Sequence, residues 1–404
     1  MCLACRAAHH VCVFRAMNSS MKDDFITFGK PEIGEDEIAE VLATLRSGWL
    51  GTGPRVARFE RDFARYRSVS EEQVAAVNSG TAALHLGLLA SGVGPGDEVI
   101  VPAMTFCASV NAIIHAGATP VLADVCPDSM NLDPSDVERR LTSRTRAILP
   151  VHFAGRACDM DALGDIRTRH RLKMIEDCAH AIETTWNDQP VGTFGDFGCF
   201  SFYVTKNATT GEGGMVIARD PENISRIKRL ALHGMSKDAW RRFGDDGYKH
   251  YAVVEAGFKY NMMDLQAAIG IHQLARIDEL QKKRRLLWEC YRSSFKDLPL
   301  TLPSLGAAES AHARHLFPML IDENRCNVSR DEFLDAMTQR GIGVGVHYLS
   351  IADHPFYRDR FGFHPDDCPV ARDVGRQTVS LPLSGAVTEP QRDRIVSAVR
   401  AIFT

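Results

Sequence analysis

Apolar and polar residues follow two different patterns along the chain. Residues 35–48, EDEIAEVLATLRSG, carry apolar side chains at helical spacing and end in a glycine, which predicts an amphipathic helix with a glycine stop. From 74 to 220, short β-rich runs such as EVIVPA and TPVLADV alternate with helical stretches such as FCASVNAIIHAG. Strands that are apolar on both faces and separated by helices predict a mostly parallel sheet covered by helices.

The rest of the chain is less regular. Residues 262–296 are typical of one or two long helices, and the stretch from there to 404 is mixed α and β. We therefore predict an α/β protein with a large domain over residues 25–280 and a smaller C-terminal α+β domain over 281–404. Because parallel sheets bind ligands at the carboxyl ends of their strands, the site is expected in the loops that leave them.

The first residues, MCLACRAAHHVCVFRA, contain three cysteines and two histidines. No second ligand pair follows at zinc-finger spacing, and Arg6 and the histidines interrupt the apolar run that a signal peptide needs. We interpret residues 1–24 as a disordered extension, or as translation from an upstream start codon with Met17 or Met21 as the true start. A metal site is the alternative hypothesis.

Composition limits the class of protein. Hydrophobic residues make up 45% and charged residues 24% of the 404, and the net charge is −4, an ordinary globular balance. This balance does not indicate a nucleic acid or an anionic membrane as the main partner. The longest apolar runs are strand-sized, and the cysteines beyond the N-terminus are scattered singly. Both features are typical of a reduced, cytoplasmic protein.

Two loops within the 74–220 region offer groups that bind a cofactor. In NSGTAALHL, a Ser-Gly-Thr turn around Gly80 and Thr81 opens a helix, where free amide groups and the helix dipole favour a phosphate. In PAMTFCAS, Phe106 follows a strand and presents an aromatic ring at a strand-to-helix turn. Each feature has an ordinary alternative: the turn is a helix cap, and the phenylalanine packs in the core.

Two ionisable residues follow on later strands. Asp177 ends the apolar run LKMIED, and a buried carboxylate needs a partner, either helix amides that it caps or a cationic ring nitrogen. Lys206 lies between the aromatic run FSFY and the glycines of GEGG. Alone it is typical of a surface lysine. In an apolar pocket, however, its pKa falls, and a neutral amine is what Schiff-base formation requires.

Together these groups are the parts of a pyridoxal-phosphate site: a phosphate cradle, a stacking ring, an acid for the pyridine nitrogen and an imine-forming lysine. A wider resemblance is carried by SGWLGTGPRVARFE, NSGTAALHL, GVGPGDEVIVPAMTF, IEDCAHA, GTFGDFGCFSFYVTKN, GEGGM and YNMMDLQAAIG. In this order, from about residue 27 to 270, they resemble the DegT/StrS family of sugar aminotransferases, within the fold-type-I pyridoxal-phosphate enzymes.

The resemblance implies a role for each matching residue. Lys206 would bind the cofactor covalently and carry the proton in transamination, Asp177 would keep the ring nitrogen protonated, and Phe106 would stack on the ring. Further implied cofactor contacts are Gly80, Thr81, Ala82, His180 and Ser201. His180 stands where the family commonly has glutamine, near the 3-hydroxyl, and as a histidine its charge would depend on pH.

The resemblance also implies a homodimer with shared active sites. In the family, an asparagine of the neighbouring subunit reaches the phosphate, and Asn261 matches it. The segment GWLGTG resembles a loop that borders the partner's site, which makes Trp49 and Thr52 candidate substrate contacts. His347 and Tyr348 match a family stretch near the substrate, although Ser-Ile-Ala at 350–352 replaces its usual Pro-Leu-His.

The implied reaction moves an amino group from glutamate, or glutamine, to a keto group of a nucleotide-linked keto-sugar. Lys237, Arg241 and Arg242 are candidates for binding the diphosphate, with a solvated charged helix as the alternative. A pyridoxal-phosphate-dependent sugar dehydratase would have histidine in place of Lys206, so transamination is favoured. A regulatory or sensor member of the family is a further alternative. A nicotinamide dehydrogenase is disfavoured, because GVGPGD does not lie at a strand-to-helix turn.

Overall fold

The structure is a computed structural model that describes residues 25–236, 251–304, 306 and 310–403. The extension proposed for residues 1–24 and the candidate diphosphate contacts Lys237, Arg241 and Arg242 lie outside the described residues. In the described part no helix has both the length and the apolar composition needed to cross a membrane.

The elements alternate between strand and helix through the first half of the chain. The α-helices are α1 (Glu35–Ser47), α2 (Pro54–Tyr66), α3 (Gly80–Ala90), α4 (Cys107–His115), α5 (Pro134–Arg140), α6 (Met160–His170), α7 (Pro221–Leu230), α8 (Asp264–Ala275), α9 (Ile277–Phe295), α10 (Glu323–Cys326), α11 (Arg330–Gln339), α12 (Pro355–Phe361), α13 (Pro369–Gln377) and α14 (Glu389–Phe403). The strands are β1 (Val74–Val77), β2 (Glu98–Pro102), β3 (Thr119–Ala123), β4 (Thr145–Ile148), β5 (Lys173–Asp177), β6 (Thr185–Trp186), β7 (Gln189–Pro190), β8 (Phe197–Ser201), β9 (Gly214–Ala218), β10 (Pro318–Leu320) and β11 (Thr378–Ser380).

A seven-stranded sheet with the order β1-β9-β8-β5-β4-β2-β3 forms the centre of the larger part. Neighbours from β8 to β3 are parallel, whereas β9 runs antiparallel to both β1 and β8. The side chains of β9 alternate between two cores: Val216 packs with α3 and α4 on one face, and Met215 packs with α2 and α8 on the other. The predicted mostly parallel α/β sheet, covered on both faces, is confirmed.

Helix boundaries follow the signals in the sequence. α1 ends at the predicted glycine, where Gly48 adopts φ 72° and its amide bonds to the Leu45 carbonyl. The long helical stretch forms two helices, α8 and α9, separated only by Arg276, whose guanidinium binds Glu32 and Glu37.

A second hydrophobic core surrounds the antiparallel pair β10 and β11. Trp288, Tyr291 and Phe317 meet there with centroid distances of 5.4–5.5 Å from Phe317 to the other two rings. α9 starts in the core of the large sheet, where Ile277 packs, and ends in this second core. A domain boundary near residue 280 remains a prediction.

Candidate active site

A cavity of about 610 Å³ opens where β5 and β8 end, at the carboxyl edge of the sheet. The predicted residues that line it are Gly80, Thr81, Phe106, Asp177, His180, Ser201, Lys206, His347 and Tyr348. Ala82, Trp49, Thr52 and Asn261 do not belong to this lining. The topology therefore brings together side chains that are separated by up to hundreds of residues in the sequence.

The turn before α3 offers free backbone amides to the cavity. Ser79 caps the helix by accepting the Ala82 amide at 3.1 Å, which leaves the first amides of the helix, at Gly80 and Thr81, without an intrahelical acceptor. A Cβ on Gly80 would lie 2.8 Å from the Ser201 Cβ, so only glycine allows this approach. Ala82 supports the turn and does not line the cavity.

Asp177 is buried at the end of β5, and among the described residues its carboxylate accepts only two hydrogen bonds. The Ser109 hydroxyl donates to Oδ2 at 2.8 Å, and the Ala179 amide donates to Oδ1 at 3.1 Å. Burial raises the pKa of the carboxyl, and the Ser109 and Ala179 hydrogen bonds and the charge of Lys206 oppose that rise. Asp177 caps no helix; its second bond closes a local turn. A cation at its open side would stabilise its charged form.

Lys206 extends from the turn that follows β8 into the same cavity. Its amide bonds to the Tyr203 carbonyl at 2.9 Å, and Phe202 anchors the start of the turn by packing on Phe59 at 5.1 Å. Burial lowers the pKa of the Lys206 amine from 10.5 to about 8, while the negative charge of Asp177 opposes the shift. A substantial fraction of this amine is neutral near pH 8, as a nucleophile requires.

The hydrogen bonds of His180 define its tautomer. Nδ1 accepts the Ala154 amide at 3.3 Å, so Nε2 carries the hydrogen and donates to the Tyr348 hydroxyl oxygen at 3.1 Å. The hydroxyl hydrogen of Tyr348 is thereby free to point elsewhere. Burial and the charge of Lys206 hold the pKa of His180 well below its usual value. This direction favours the neutral ring, and the pH-dependent charge expected for His180 stays a prediction.

Aromatic rings form one wall of the cavity. Phe106 remains 55% exposed, and its centroid lies 5.8 Å from that of Tyr348. His347 stacks on Phe28 at 5.3 Å, and burial lowers its pKa to about 4. Phe28 was missed in the sequence, as were Ser109 and His315, which also line the cavity. Only Ser109 had a signal: it lies three residues after Phe106, at helical spacing.

The residues expected at the partner's site lie together outside the cavity. Asn261 donates to the Thr52 hydroxyl at 2.7 Å and accepts from Lys259 at 2.6 Å. Trp49 donates to the Thr52 carbonyl at 3.1 Å and is 49% exposed. Asn261 also pairs with Val77 at the end of β1, shortly before the Ser-Gly-Thr turn.

The Ser-Ile-Ala segment that departs from the expected pattern packs beneath the site. The Ile351 amide bonds to the Ala103 carbonyl at 2.7 Å, and Ser350 pairs with Met104. Ile351 and Ala352 are buried. These residues support the strand that leads to Phe106.

A family model described as the DegT/DnrJ/EryC1/StrS aminotransferase family matches residues 31–400. The chain belongs to this family. It is 44% identical over 382 residues to the spore coat polysaccharide biosynthesis protein SpsC of Bacillus subtilis, covering 94% of this chain and 98% of that protein.

Solved structures of other aminotransferases have the same fold. The putative sugar aminotransferase Spr1654 of Streptococcus pneumoniae, in its PMP form, superposes with a TM-score of 0.86 at 33% identity, covering 94% of this chain and 97% of that one. PseC of Helicobacter pylori, an aminotransferase in the biosynthesis of pseudoaminic acid, gives 0.86 at 27% identity, covering 94% and 99%. The expected fold-type-I architecture, aminotransferase activity and pyridoxal-phosphate cofactor of this DegT-family protein are confirmed.

The cavity fits that cofactor. Free amides at the α3 turn suit a phosphate, the open side of Asp177 suits a cationic ring nitrogen, and the Lys206 amine has the lowered pKa that imine formation requires.

Proposed function

We propose that this aminotransferase moves an amino group from glutamate or glutamine to the keto group of a nucleotide-linked keto-sugar, for a cell-surface polysaccharide or a glycosylated natural product. The observation that carries the proposal is the part of the cavity lining not assigned to the cofactor: the Tyr348 hydroxyl, the His347 imidazole, whose pKa burial lowers to about 4, and aromatic faces. Hydroxyls and imidazoles bind sugar hydroxyls, and aromatic faces pack on the apolar side of a sugar ring. The similarity to SpsC and PseC supports a sugar substrate.

We assign the chemistry to two residues of this cavity. When bound, pyridoxal phosphate supplies an electron sink. Asp177 would pair with the protonated ring nitrogen, for which the open side of its carboxylate is suited. Lys206 would hold the cofactor in the resting enzyme, and its Nζ would accept and return the proton that transamination moves. Its pKa of about 8 lets Nζ both accept and release a proton near neutral pH.

We assign the remaining predicted residues to binding. Gly80, Thr81 and Ser201 hold the phosphate, and Phe106 stacks on the ring. His180 supports the 3-hydroxyl side of the ring through Tyr348, with which it shares a hydrogen bond. His347 and Tyr348 contact the sugar.

We further propose a homodimer in which each subunit completes the partner's cavity. A hydrogen-bonded cluster outside the cavity links Asn261 and Trp49 to Thr52. None of these residues lines the cavity of its own subunit. Beside Trp49, α1 exposes an apolar stripe at helical spacing, with Ile38, Leu42 and Leu45 each 44–51% exposed. A second copy covering this stripe would bury it. We place the protein in the cytoplasm, where single thiols such as Cys107 stay reduced.

The test of the reaction is a panel of nucleotide-linked keto-sugars incubated with the purified enzyme, pyridoxal phosphate and either glutamate or glutamine. We expect one sugar to give a product whose mass shows replacement of the keto oxygen by an amine. Amination of keto acids alone, with no sugar converted, would refute the sugar substrate but leave the aminotransferase class intact.

Hybrid dimers test the shared site. Lys206→Ala and Asn261→Ala alter opposite halves of each proposed composite site. If the sites are shared, randomly mixed subunits should restore about a quarter of the wild-type sites, although each variant alone is impaired. Activity that merely averages the two parent variants would contradict the shared site.

A further inference from the structure

Two buried hydroxyls connect the start of α4 to the carboxylate at the end of β5. The Ser109 hydroxyl donates to Asp177 Oδ2 at 2.8 Å, and the Thr105 hydroxyl oxygen lies 2.9 Å from that of Ser109. The exposed fractions are 2% for Thr105 and 1% for Ser109, so both hydroxyls depend on protein partners. Both residues line the cavity, and the reaction proposed above gives them no role.

The Ser109 hydroxyl does not bond to its own helix, as other helical hydroxyls of this protein do. In α1, α6 and α11, the hydroxyls of Thr44, Thr168 and Thr338 each donate to the backbone carbonyl four residues earlier. Ser109 lies in the first turn of α4, yet its hydroxyl crosses to β5, and it is not the residue that caps the helix. Its hydroxyl is therefore committed to Asp177.

The direction of both hydrogen bonds follows from the groups that form them. A carboxylate oxygen only accepts, so the single hydroxyl hydrogen of Ser109 is directed to Oδ2 of ionised Asp177. Ser109 has no second hydrogen to donate, so Thr105 is the donor in the bond between the two hydroxyls. A hydroxyl that accepts one hydrogen bond donates the next one more strongly. The hydrogen bonds thus run from Thr105 through Ser109 to Asp177.

This hydroxyl pair, Thr105 and Ser109, shares the orientation of the carboxylate with one backbone group. The Ala179 amide donates to Asp177 Oδ1 at 3.1 Å, so each carboxylate oxygen accepts one hydrogen bond from a different part of the chain. Bonds to both oxygens restrict the rotation of the carboxylate plane as well as its position. The lone pairs that remain are available on the side that lines the cavity.

The hydroxyl pair also flanks Phe106, the ring assigned above to stack on the cofactor. Thr105 precedes Phe106 in the sequence, and the Ser109 amide bonds to the Phe106 carbonyl at 3.1 Å. The turn between β2 and α4 therefore carries both the stacking ring and the hydroxyl that holds Asp177. A bound ring and the acid at its nitrogen would thus be aligned by the same turn.

We propose that Thr105 and Ser109 are positioning residues for Asp177: Thr105 orients the Ser109 hydroxyl, which holds Oδ2 and keeps the open side of the carboxylate turned to the ring nitrogen of the cofactor. This assignment rests on the role proposed above for Asp177. Because Ser109 donates to the charged carboxylate, the pair favours a proton on the ring nitrogen over a proton on Asp177. Burial acts in the opposite direction by raising the pKa of Asp177, whereas the Ser109 hydrogen bond lowers it.

The first test measures the acid dissociation constant of Asp177 in cofactor-free protein whose aspartates carry a ¹³C carboxyl label. The Asp177 resonance is assigned by its absence in Asp177→Asn. We expect the constant to fall about tenfold in Ser109→Ala, which removes the donor to Oδ2. It should fall about twofold in Thr105→Val, which only weakens that donor. An unchanged constant in folded Ser109→Ala, or a fall in Thr105→Val as large as in Ser109→Ala, would overturn the proposal.

The other ionisable groups around Asp177 are identical in these variants and in the wild type. They are Lys206, His152, Tyr348, Cys178 and Cys199. Burial raises the pKa of the tyrosine and of both thiols, so these three groups stay neutral while the carboxyl titrates. The difference between variant and wild type therefore reports the hydroxyl that was removed.

The matched control is Ser91→Ala at the end of α3. The Ser91 hydroxyl donates to the Leu88 carbonyl at 2.6 Å, and Ser91 does not line the cavity. This variant should leave the acid dissociation constant of Asp177 unchanged. A fall as large as in Ser109→Ala would overturn the proposal, because the loss of a distant hydroxyl would then have the same effect.

The second test follows the ring nitrogen itself, with ¹⁵N-labelled pyridoxal phosphate bound to the enzyme. We expect the ¹⁵N resonance in Ser109→Ala to move from the wild-type position toward that of Asp177→Asn, in which the ion pair is absent. A resonance that stays at the wild-type position would overturn the proposal.

The two tests separate failure of this proposal from failure of the proposed function. If Asp177→Asn leaves the ¹⁵N resonance unmoved, the role proposed above for Asp177 fails, whereas the titration of cofactor-free protein still decides whether the hydroxyls hold the carboxylate. If Ser109→Ala does not fold, Thr105→Val decides: a twofold fall in the acid dissociation constant supports the hydroxyl pair, and an unchanged constant overturns it.

Discussion

Two carboxylates follow each other at the end of β5 and have opposite environments. Glu176 is fully buried and accepts three hydrogen bonds: from the amides of Gly192 and Gly195, each at 2.6 Å, and from His152 Nε2 at 3.1 Å. Asp177 accepts two and turns its remaining side to the cavity beside Lys206. The pleat of the strand sends the two side chains to opposite faces of the sheet.

The difference shows that Glu176 stabilises the fold, whereas Asp177 is available to a ligand in the cavity. His152 Nδ1 accepts the Cys158 amide at 3.1 Å, so its Nε2 hydrogen is committed to Glu176. His152, Glu176 and Cys178 are close enough together to hold a metal ion, but the histidine has no lone pair to offer and the glutamate oxygens already accept from the chain. A buried carboxylate whose partners all belong to the chain stabilises it; one with an open side is available to a ligand.

The largest loss of turnover is expected from replacing Lys206, which lies in the cavity beside Asp177. Lys206→Ala should abolish turnover and the visible absorbance of bound pyridoxal phosphate, because Lys206 is the only lysine among the described residues that line the cavity. The fold should persist, since the lysine makes no buried ion pair. Spectra with added cofactor and circular dichroism check both points. Retained turnover would refute the assigned role of Lys206.

Asp177→Asn should reduce turnover by about a hundredfold or more, because the ring nitrogen loses its ion pair. The free energy of unfolding of the cofactor-free protein should change little, since burial already disfavours the charged form of this side chain. Turnover and urea unfolding measured on one preparation check both effects. A near wild-type rate would contradict the assignment.

Glu176→Gln, in contrast to Asp177→Asn, should lower the stability of the protein and leave its turnover nearly unchanged. The NH₂ group of glutamine would replace one acceptor oxygen and face a donor, either the Gly195 amide or the Gly192 amide with His152, which should lower the free energy of unfolding by about 3 kcal/mol. Turnover per folded molecule should remain near wild type. If turnover falls as far as in Asp177→Asn while stability is kept, the two carboxylates are not separated as described.

The pH dependence of the rate of cofactor binding tests the lowered pKa of Lys206 in the cavity. The neutral fraction of Lys206 increases as pH rises through its pKa of about 8, so the loading rate should climb about tenfold per pH unit below that value and level off above it. Stopped-flow absorbance after mixing with pyridoxal phosphate measures the rate. A rise that continues unchanged to the ordinary lysine pKa would show that the amine is not desolvated.

The smallest effect is expected from His180→Gln. The glutamine amide supplies the N–H that the neutral ring gives to Tyr348, so turnover should change by less than about tenfold and its pH profile should keep its shape. His180→Leu, which removes the donor, is the comparison. An acidic limb of the wild-type pH profile that disappears in His180→Gln would mean that the histidine does titrate.

The sheet, the end of α1 and the main residues of the candidate site could be predicted from the sequence. Strand and helix alternation predicted the sheet, because periodicity reports which faces are buried. The stop of α1 at Gly48 was predicted for a similar local reason. Asp177, Lys206 and the turn at Gly80 were found because each follows a strand, and the sheet brings all three to one cavity.

What the sequence did not contain was the direction of each side chain and its neighbours. It could not tell that both oxygens of the Glu176 carboxylate accept hydrogen bonds while Asp177 keeps one side open to the cavity, that burial lowers the pKa of His180, or that Asn261 donates to Thr52 and does not line its own cavity. By itself, the chain determined the elements and the order of the chemical groups, because these depend on local periodicity and spacing. The tertiary structure alone decided the direction of the pKa shifts, because burial and hydrogen-bond partners come from residues distant in sequence.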